Sequence, residues 1–560
     1  MPPEKQMNTM KFRLIDIPIP GARWRTIEVS VVVLVFMLFI FYFSLCAFRV
    51  PWKGDFHVYI SAISALYENF SQLGHENMPV DIKYSLAYTP FMVAIAAFGR
   101  VFSLSEYAAL QWAGVFNILL YAASILTYFR ATSLNQRSVL PAIFFLIISL
   151  FLRSTTYSWS SETSFDTMRY LQAYPSLFAW SLALLAFATV EQLFEKKQFR
   201  YAVLVAPLLW TLILVHLITA SWVIGIIGVR FLFEIIANHH GRKDDLTPLF
   251  AGLASSILLA VILVFFWPYS DLVELSKHAT VSENPPFGLG WAAITTFAGL
   301  YILALPSFYV LGAEKRGKLL ILSFLATATA LILFKVVGLQ FGYRYVFFMA
   351  FFAQVAVSEA SAIGIHTMIR MIRDLKNKTR QSSFSSVAVS LIAICTLLAV
   401  LQAPLMKQSW FELNGTKRLS IPELWARPNS AEVFYAKFPE LRNMLSKGDI
   451  VLISPNDFLS YQIAVLTGAR SVVVNLSPIV PDYKARKKAV SNFLTANTPW
   501  ASRLLILEKY GVTNVLLSRR SKTLFLSDEL EDQMGPPIIK SRNLILFRAL
   551  PVDLRESLDS

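Results

Sequence analysis

Cysteine is almost missing: the 560 residues hold two, Cys46 and Cys395, each inside an apolar run. Two thiols so placed supply no disulfide framework and no Cys-rich metal site, and they leave the redox compartment unread. Charge is scarce as well. Only 16% of residues are charged, against 55% hydrophobic and 14% aromatic, and the mean hydropathy is +0.53. A soluble domain carries about a quarter charged residues, so that class is excluded. There is no internal repeat, no low-complexity tract and no nucleotide fingerprint; "PPFGLGW" (285–291) has two glycines but no strand ahead of it. The first apolar run, beginning near Glu28 behind the basic segment 1–27, lacks a small-residue cleavage site and is too long for a signal-peptide core. It reads as a retained anchor.

What is abundant is long apolar runs. They place spans at 29–48, 106–129, 138–153, 175–194, 199–216, 218–237, 247–267, 289–311, 318–337, 344–368 and 384–404. The fold class expected is therefore a polytopic α-helical membrane protein of about 11 spans. The net charge of +15 does not point to nucleic acid, because the positive residues sit mainly between spans. Segments 1–27, 130–137, 195–200, 238–245, 312–318 and 369–380 carry 20 Lys and Arg, and the longer segments 49–85, 153–174, 268–286 and 338–344 carry 7. The positive-inside rule puts the first set in the cytoplasm, which leaves the N-terminus inside and the C-terminal tail outside. That expectation is of a multi-pass protein of the plasma (inner) membrane.

One segment, "YSLAYTPFMVAIAAFGRVF" (84–102), is apolar enough to cross, but crossing would invert every later loop. It is read as a juxtamembrane or re-entrant helix on the outer side. In residues 56–70, Phe56, Ile60, Ile63, Tyr67 and Phe70 share one helical face, which suits a helix lying in the outer interface. The domains expected are a cytoplasmic segment 1–27, a transmembrane domain 28–404 with a large first external loop 49–105, and an extracytoplasmic domain 405–560. In that last domain, "DIVLIS" (449–454), "ARSVVVN" (469–475), "TNVLLS" (513–518) and "NLILFRAL" (543–550) alternate with helical patterns at 457–467, 483–495 and 500–510. Such alternation predicts a small α/β domain with a mostly parallel sheet. Its 21 Lys and Arg against 15 Asp and Glu suit a domain near anionic head groups.

The polar residues near the outer boundary come from separate parts of the chain. Asp55, His57 and Tyr59 follow the first span in "RVPWKGDFHVY"; Glu162, Asp166 and Arg169 lie in the loop 155–176; His216 ends a span in "LVHLIT"; Lys335 and Arg344 bracket "KVVGLQFGYRY". They share one depth and could line one outward-facing cavity, and ionisable residues at that depth are costly unless paired or functional. Each also has a plainer reading. Asp55 could cap a helix starting at Phe56. His216 could be a satisfied interfacial histidine. Arg344 could be a snorkelling anchor. Glu162 and Asp166 could simply be solvated. The sequons at Asn69 and Asn414 matter only in a eukaryotic secretory setting.

Several of these motifs carry a resemblance. Gly54-Asp55-Phe56 with Tyr59, Tyr88-Thr89-Pro90, His216-Leu217-Ile218-Thr219, Trp267-Pro268-Tyr269 and Tyr343-Arg344-Tyr345 resemble, in order and side, features of the GT-C superfamily of membrane glycosyltransferases. The tail phrases "LTGARSVVV" and "LLILEKYGVTNVLLS" are similar to the external domain of many bacterial members. The resemblance touches the whole chain through short scattered motifs. It implies transfer of a sugar from a polyprenyl-phosphate donor to a hydroxyl of a glycan, lipid or protein acceptor, with inversion by direct displacement. Asp55 would be the general base, and Asp166 or Glu162 the second carboxylate. Arg344, with Lys335 weaker, would meet the lipid phosphate. His57, Tyr59, His216 and Tyr343 would line the substrate. Related families often place two adjacent acids in the first loop, whereas this chain has one acid and then Phe56-His57. No cofactor is required, because a phosphate departs readily; a divalent cation is possible without being indicated. Membrane lipids are expected partners and nucleic acid is not. The alternatives are a lipid-linked oligosaccharide polymerase or ligase, a secondary transporter using Glu359 and His366, and a membrane scaffold.

Overall fold

The computed structural model describes residues 22–50, 56–70, 77–79, 87–133, 138–150, 165–239, 247–269, 297–337, 342–376, 420–474, 480 and 482–549. Thirteen α-helices precede the tail among them: α1 (Ala22–Arg49), α2 (Phe56–Glu68), α3 (Pro90–Val101), α4 (Glu106–Thr132), α5 (Val139–Ser149), α6 (Phe165–Leu171), α7 (Pro175–Lys196), α8 (Arg200–Val215), α9 (Leu217–His239), α10 (Thr247–Val264), α11 (Ala298–Leu311), α12 (Lys315–Val337) and α13 (Tyr345–Lys376). Seven are long and apolar enough to cross a membrane, namely α1, α4, α7, α9, α10, α12 and α13. By length and composition they make this a multi-pass membrane protein. The spans expected at 138–153, 199–216 and 289–311 contain helices of 11, 16 and 14 residues; the one at 384–404 lies outside the described residues. The segment 84–102 holds α3, whose 12 residues reach about 18 Å, short of a hydrocarbon core of about 30 Å.

The chain divides into two compact units, residues 1–44, 116–260 and 286–421, and residues 45–115, 261–285 and 422–560. The first is a helix bundle. The most enclosed of its span-length helices is α13, buried at every residue from Tyr345 to Gly364. An aromatic cluster holds α7, α9 and α13 together: Trp222 stacks on Phe348 with centroids 4.3 Å apart, and Trp180 meets both edge-on. Rings supply large apolar area with geometric specificity. The indole N–H of Trp222 donates to Thr327 Oγ1 of α12 at 3.2 Å, so the buried polar atom is satisfied.

The second unit joins the first-loop segment to the tail. The tail's helices are α14 (Ile421–Trp425), α15 (Ser430–Tyr435), α16 (Pro439–Met444), α17 (Leu459–Thr467), α18 (Tyr483–Phe493), α19 (Trp500–Lys509) and α20 (Ser527–Met534). Its strands are β1 (Ile450–Leu452), β2 (Arg470–Ser471), β3 (Asn514–Ser518), β4 (Ile539–Lys540) and β5 (Leu544–Arg548), in sheet order β2-β1-β3-β5-β4. The four strands and three helices expected from the pattern are present. The sheet is mixed rather than mostly parallel: β1 pairs parallel with β2 and β3, while β5 pairs antiparallel with both β3 and β4. The reason is connection length. A helix separates β1 from β2, as a parallel crossover requires, but only three residues separate β4 from β5, which forces a hairpin.

The first loop is built into this core. Met78 is buried among Val472, Val515 and Phe547, and the Ser471 N–H donates to the Asn77 carbonyl at 2.9 Å. In α2, expected to lie on a membrane interface, Phe56, Ile60 and Ile63 of the apolar stripe are instead buried on protein, and Ser61 Oγ donates to the Tyr461 carbonyl of α17 at 3.1 Å. A packed partner covers the stripe as well as lipid would, and periodicity does not distinguish the two.

Candidate active site

The bundle's polar centre starts from a break in a helix. His216 separates α8 from α9 with φ −158° and ψ 84°. Its N–H still closes α8 on Leu212 O at 2.8 Å, and its carbonyl receives the Ala220 N–H at 3.0 Å to open α9. The imidazole folds back on the first turn of α9: Nδ1 lies 2.8 Å from Thr219 Oγ1 and 3.3 Å from the Thr219 nitrogen.

Its other nitrogen, Nε2, lies 3.3 Å from Nη1 of Arg344. Arg344 ends a short 3₁₀ turn, Gly342–Arg344, that feeds into α13. That turn sits tight against α12: a Cβ on Gly342 would overlap the Cβ of Phe334, so glycine permits a close backbone approach. The next residue, Tyr345, packs on Phe334 with centroids 4.8 Å apart, and its hydroxyl meets Ser221 Oγ of α9 at 3.0 Å. Two hydrogen bonds thus tie the beginning of α13 to the beginning of α9. Helix N-termini carry partial positive charge. Two of them meeting at a guanidinium make a place suited to an anion, a phosphate in particular.

The expected residues are distributed as follows. His216 and Arg344 are in direct contact. Lys335 is in the last turns of α12 and Tyr343 in the 3₁₀ turn, with side chains outside what is described. Asp166 is the second residue of α6, its side chain likewise outside; α6 is followed by a stretch tied to α4, where Asn117 Nδ2 donates to Gln172 O at 2.8 Å. Asp55 and Glu162 lie outside the described residues. His57 and Tyr59 belong to the second unit. Among the described residues no group of three His, Cys, Asp or Glu could hold a metal ion. Thr219, Ser221 and the full role of Tyr345 were not foreseen, although the "HLIT" and "YRY" patterns contain two of them.

His57 is almost fully buried, beside Phe56, Phe434 and Phe458, with Gln462 Nε2 within 3.2 Å of its ring nitrogens. Burial pushes its pKa down to about 3, and Lys437 and Arg520 add to the effect. The folded-state value is below the unfolded one, so the unfolded chain takes up the proton first as pH falls. Stability is therefore full above about 6.5 and is lost progressively towards 3. Between pH 7 and 5 this one group should destabilise the protein by about 2 kcal/mol. Thermal unfolding at both pH values should show a smaller pH difference for His57→Phe than for wild type. Equal differences would mean that His57 does not titrate in this way.

No family model and no curated protein matches the chain. Solved structures do. ArnT from Cupriavidus metallidurans bound to undecaprenyl phosphate aligns with 95% of this chain and 99% of its own, with a TM-score of 0.52 at 10% identity. Its apo state aligns with 94% and 98%, with a TM-score of 0.50 at 11% identity. The arabinofuranosyltransferase AftD from Mycobacteria aligns with 90% of this chain and 36% of its own, with a TM-score of 0.51 at 13% identity. At these identities what is shared is the fold.

Proposed function

We propose that this multi-pass membrane protein of GT-C fold is a glycosyltransferase that moves a sugar from a polyprenyl-phosphate donor to an acceptor hydroxyl on the extracytoplasmic face. The observation that carries the reading is Arg344, held by His216 where the N-termini of α9 and α13 meet. Fixed positive groups aimed at one spot stabilise the charge that grows on a leaving phosphate. A neighbour of the same fold, ArnT from Cupriavidus metallidurans, holds undecaprenyl phosphate, which is a lipid phosphate of the kind such a reaction releases.

The step balances simply. The acceptor oxygen bonds to the anomeric carbon as the bond from that carbon to the phosphate oxygen breaks, with inversion. The acceptor proton passes to a carboxylate, assigned to Asp55, and the lipid phosphate leaves towards Arg344. Asp166 or Glu162 orients the hydroxyls of donor or acceptor. A carboxylate positioned beside the acceptor hydroxyl takes its proton as the new bond forms.

The test is release of polyprenyl phosphate by the purified protein from a panel of polyprenyl-phosphate sugars. One donor should support release, and Arg344→Ala should lower kcat/KM for it by about a hundred- to a thousandfold. Unchanged donor use by that variant would remove Arg344 from the site, and uptake of a solute into proteoliposomes without release would favour a transporter. Release only from donors carrying an assembled oligosaccharide would indicate a polymerase or ligase.

A further inference from the structure

We infer that Thr219 is a positioning residue whose hydroxyl fixes the tautomer of His216 and thereby aims Arg344; the inference rests on the function proposed above for that site. A guanidinium only donates hydrogen bonds. For Nη1 of Arg344 to bond to Nε2 of His216 at 3.3 Å, that nitrogen must offer its lone pair. A ring whose Nε2 accepts is not an imidazolium, so its single proton resides on Nδ1. That proton needs an acceptor, and Thr219 Oγ1, 2.8 Å away on a fully buried residue, is placed to accept it.

The same turn offers a competing arrangement. The Thr219 backbone N–H lies 3.3 Å from Nδ1 and can donate to it only when Nδ1 carries no proton. The proton is then on Nε2, where it faces the guanidinium and pushes it away. The backbone N–H selects the tautomer protonated on Nε2, whereas the hydroxyl, which can donate or accept, permits the other by taking the Nδ1 proton. Which nitrogen is protonated follows from the partner of the other nitrogen. With the hydroxyl present, Arg344 is held at the convergence of α9 and α13; without it, the guanidinium loses the His216 acceptor.

Thr219→Val keeps the shape and removes the hydroxyl, while Thr219→Ser keeps the hydroxyl and trims the methyl. Binding of polyprenyl phosphate is the direct readout, needing no turnover. Thr219→Val should weaken it about tenfold, as expected for loss of one hydrogen bond to a charged group, and Thr219→Ser should bind within about twofold of wild type. In an Arg344→Ala background, Thr219→Val should have no further effect, because the residue acts only through that side chain. A Thr219→Val loss that persists undiminished in that background, or one that Thr219→Ser fails to restore, would overturn the inference and reduce Thr219 to a packing residue. Wild-type protein that binds no polyprenyl phosphate, or binds it as well after Arg344→Ala, would instead overturn the proposed function.

Discussion

Replacing Asp55 with asparagine is expected to leave the protein folded and inserted while lowering sugar transfer by about a hundred- to ten-thousandfold, the usual contribution of a positioned base. Asparagine is chosen because of where α2 begins. The helix starts at Phe56, so Asp55 directly precedes its first turn, where an aspartate can serve merely as a cap. Asparagine caps a helix about as well as aspartate. The substitution therefore removes the charge and the basicity while sparing the cap, and it separates the two roles by itself. Asp55→Ala loses both, and should in addition cost about 1 kcal/mol of stability. Initial rates of polyprenyl-phosphate release, taken alongside thermal unfolding of each variant, check this. Wild-type rates in Asp55→Asn protein would leave Asp55 as a cap and send the search for the base to Asp166 and Glu162.

Features with a short reach along the chain were legible. The span-length helices α1, α4, α7, α9, α10, α12 and α13 announce themselves because a hydrocarbon core demands unbroken apolar length. β1, β3 and β5 follow from β-branched runs bounded by turn residues. What required coordinates was pairing at a distance. His57 and Gln462 are separated by 405 positions, and nothing local to "GDFHVY" announces a tail helix as its cover. β4 is two residues long, below what any pattern resolves, yet it makes one edge of the sheet. His216 and Arg344 were both singled out, as polar residues at one depth, but the hydrogen bond between them depends on a helix break and a glycine contact that composition does not encode. Arg230 and Glu234 stand four apart in "VRFLFE", the spacing of a helical ion pair. That Arg230 is buried and Glu234 half-buried, and that Glu191 and Lys315 join them, was invisible.

That buried network supplies the second large effect. Arg230 Nε donates to Glu191 Oε1 at 2.6 Å, Nη1 donates to Glu234, and Lys315 Nζ reaches the same Glu234 oxygen at 2.6 Å. The guanidinium also lies over Phe194, 4.6 Å from the ring centroid. The cluster borders a cavity of about 70 Å³ lined also by Tyr128, Arg316 and Glu359. At about 10–15 Å³ per water that is room for several molecules, and water there would relieve part of the desolvation cost. Arg230→Met leaves the buried Glu191 without this partner and the part-buried Glu234 with Lys315. Breaking such a pair from one side typically costs about 3–5 kcal/mol, and hydration places the expected loss near the lower end. Removing both charges behaves differently, because the penalty lies mostly in the partner left behind. Arg230→Met combined with Glu191→Met should therefore be more stable than Arg230→Met alone, with Glu234 still paired to Lys315. Thermal unfolding of the two variants in detergent decides it: a double variant less stable than the single one would mean that Glu191 contributes something besides its pairing with Arg230. Transfer per folded molecule should be unchanged in both, since Arg230 is roughly 20 Å from His216 along α9 at 1.5 Å per residue.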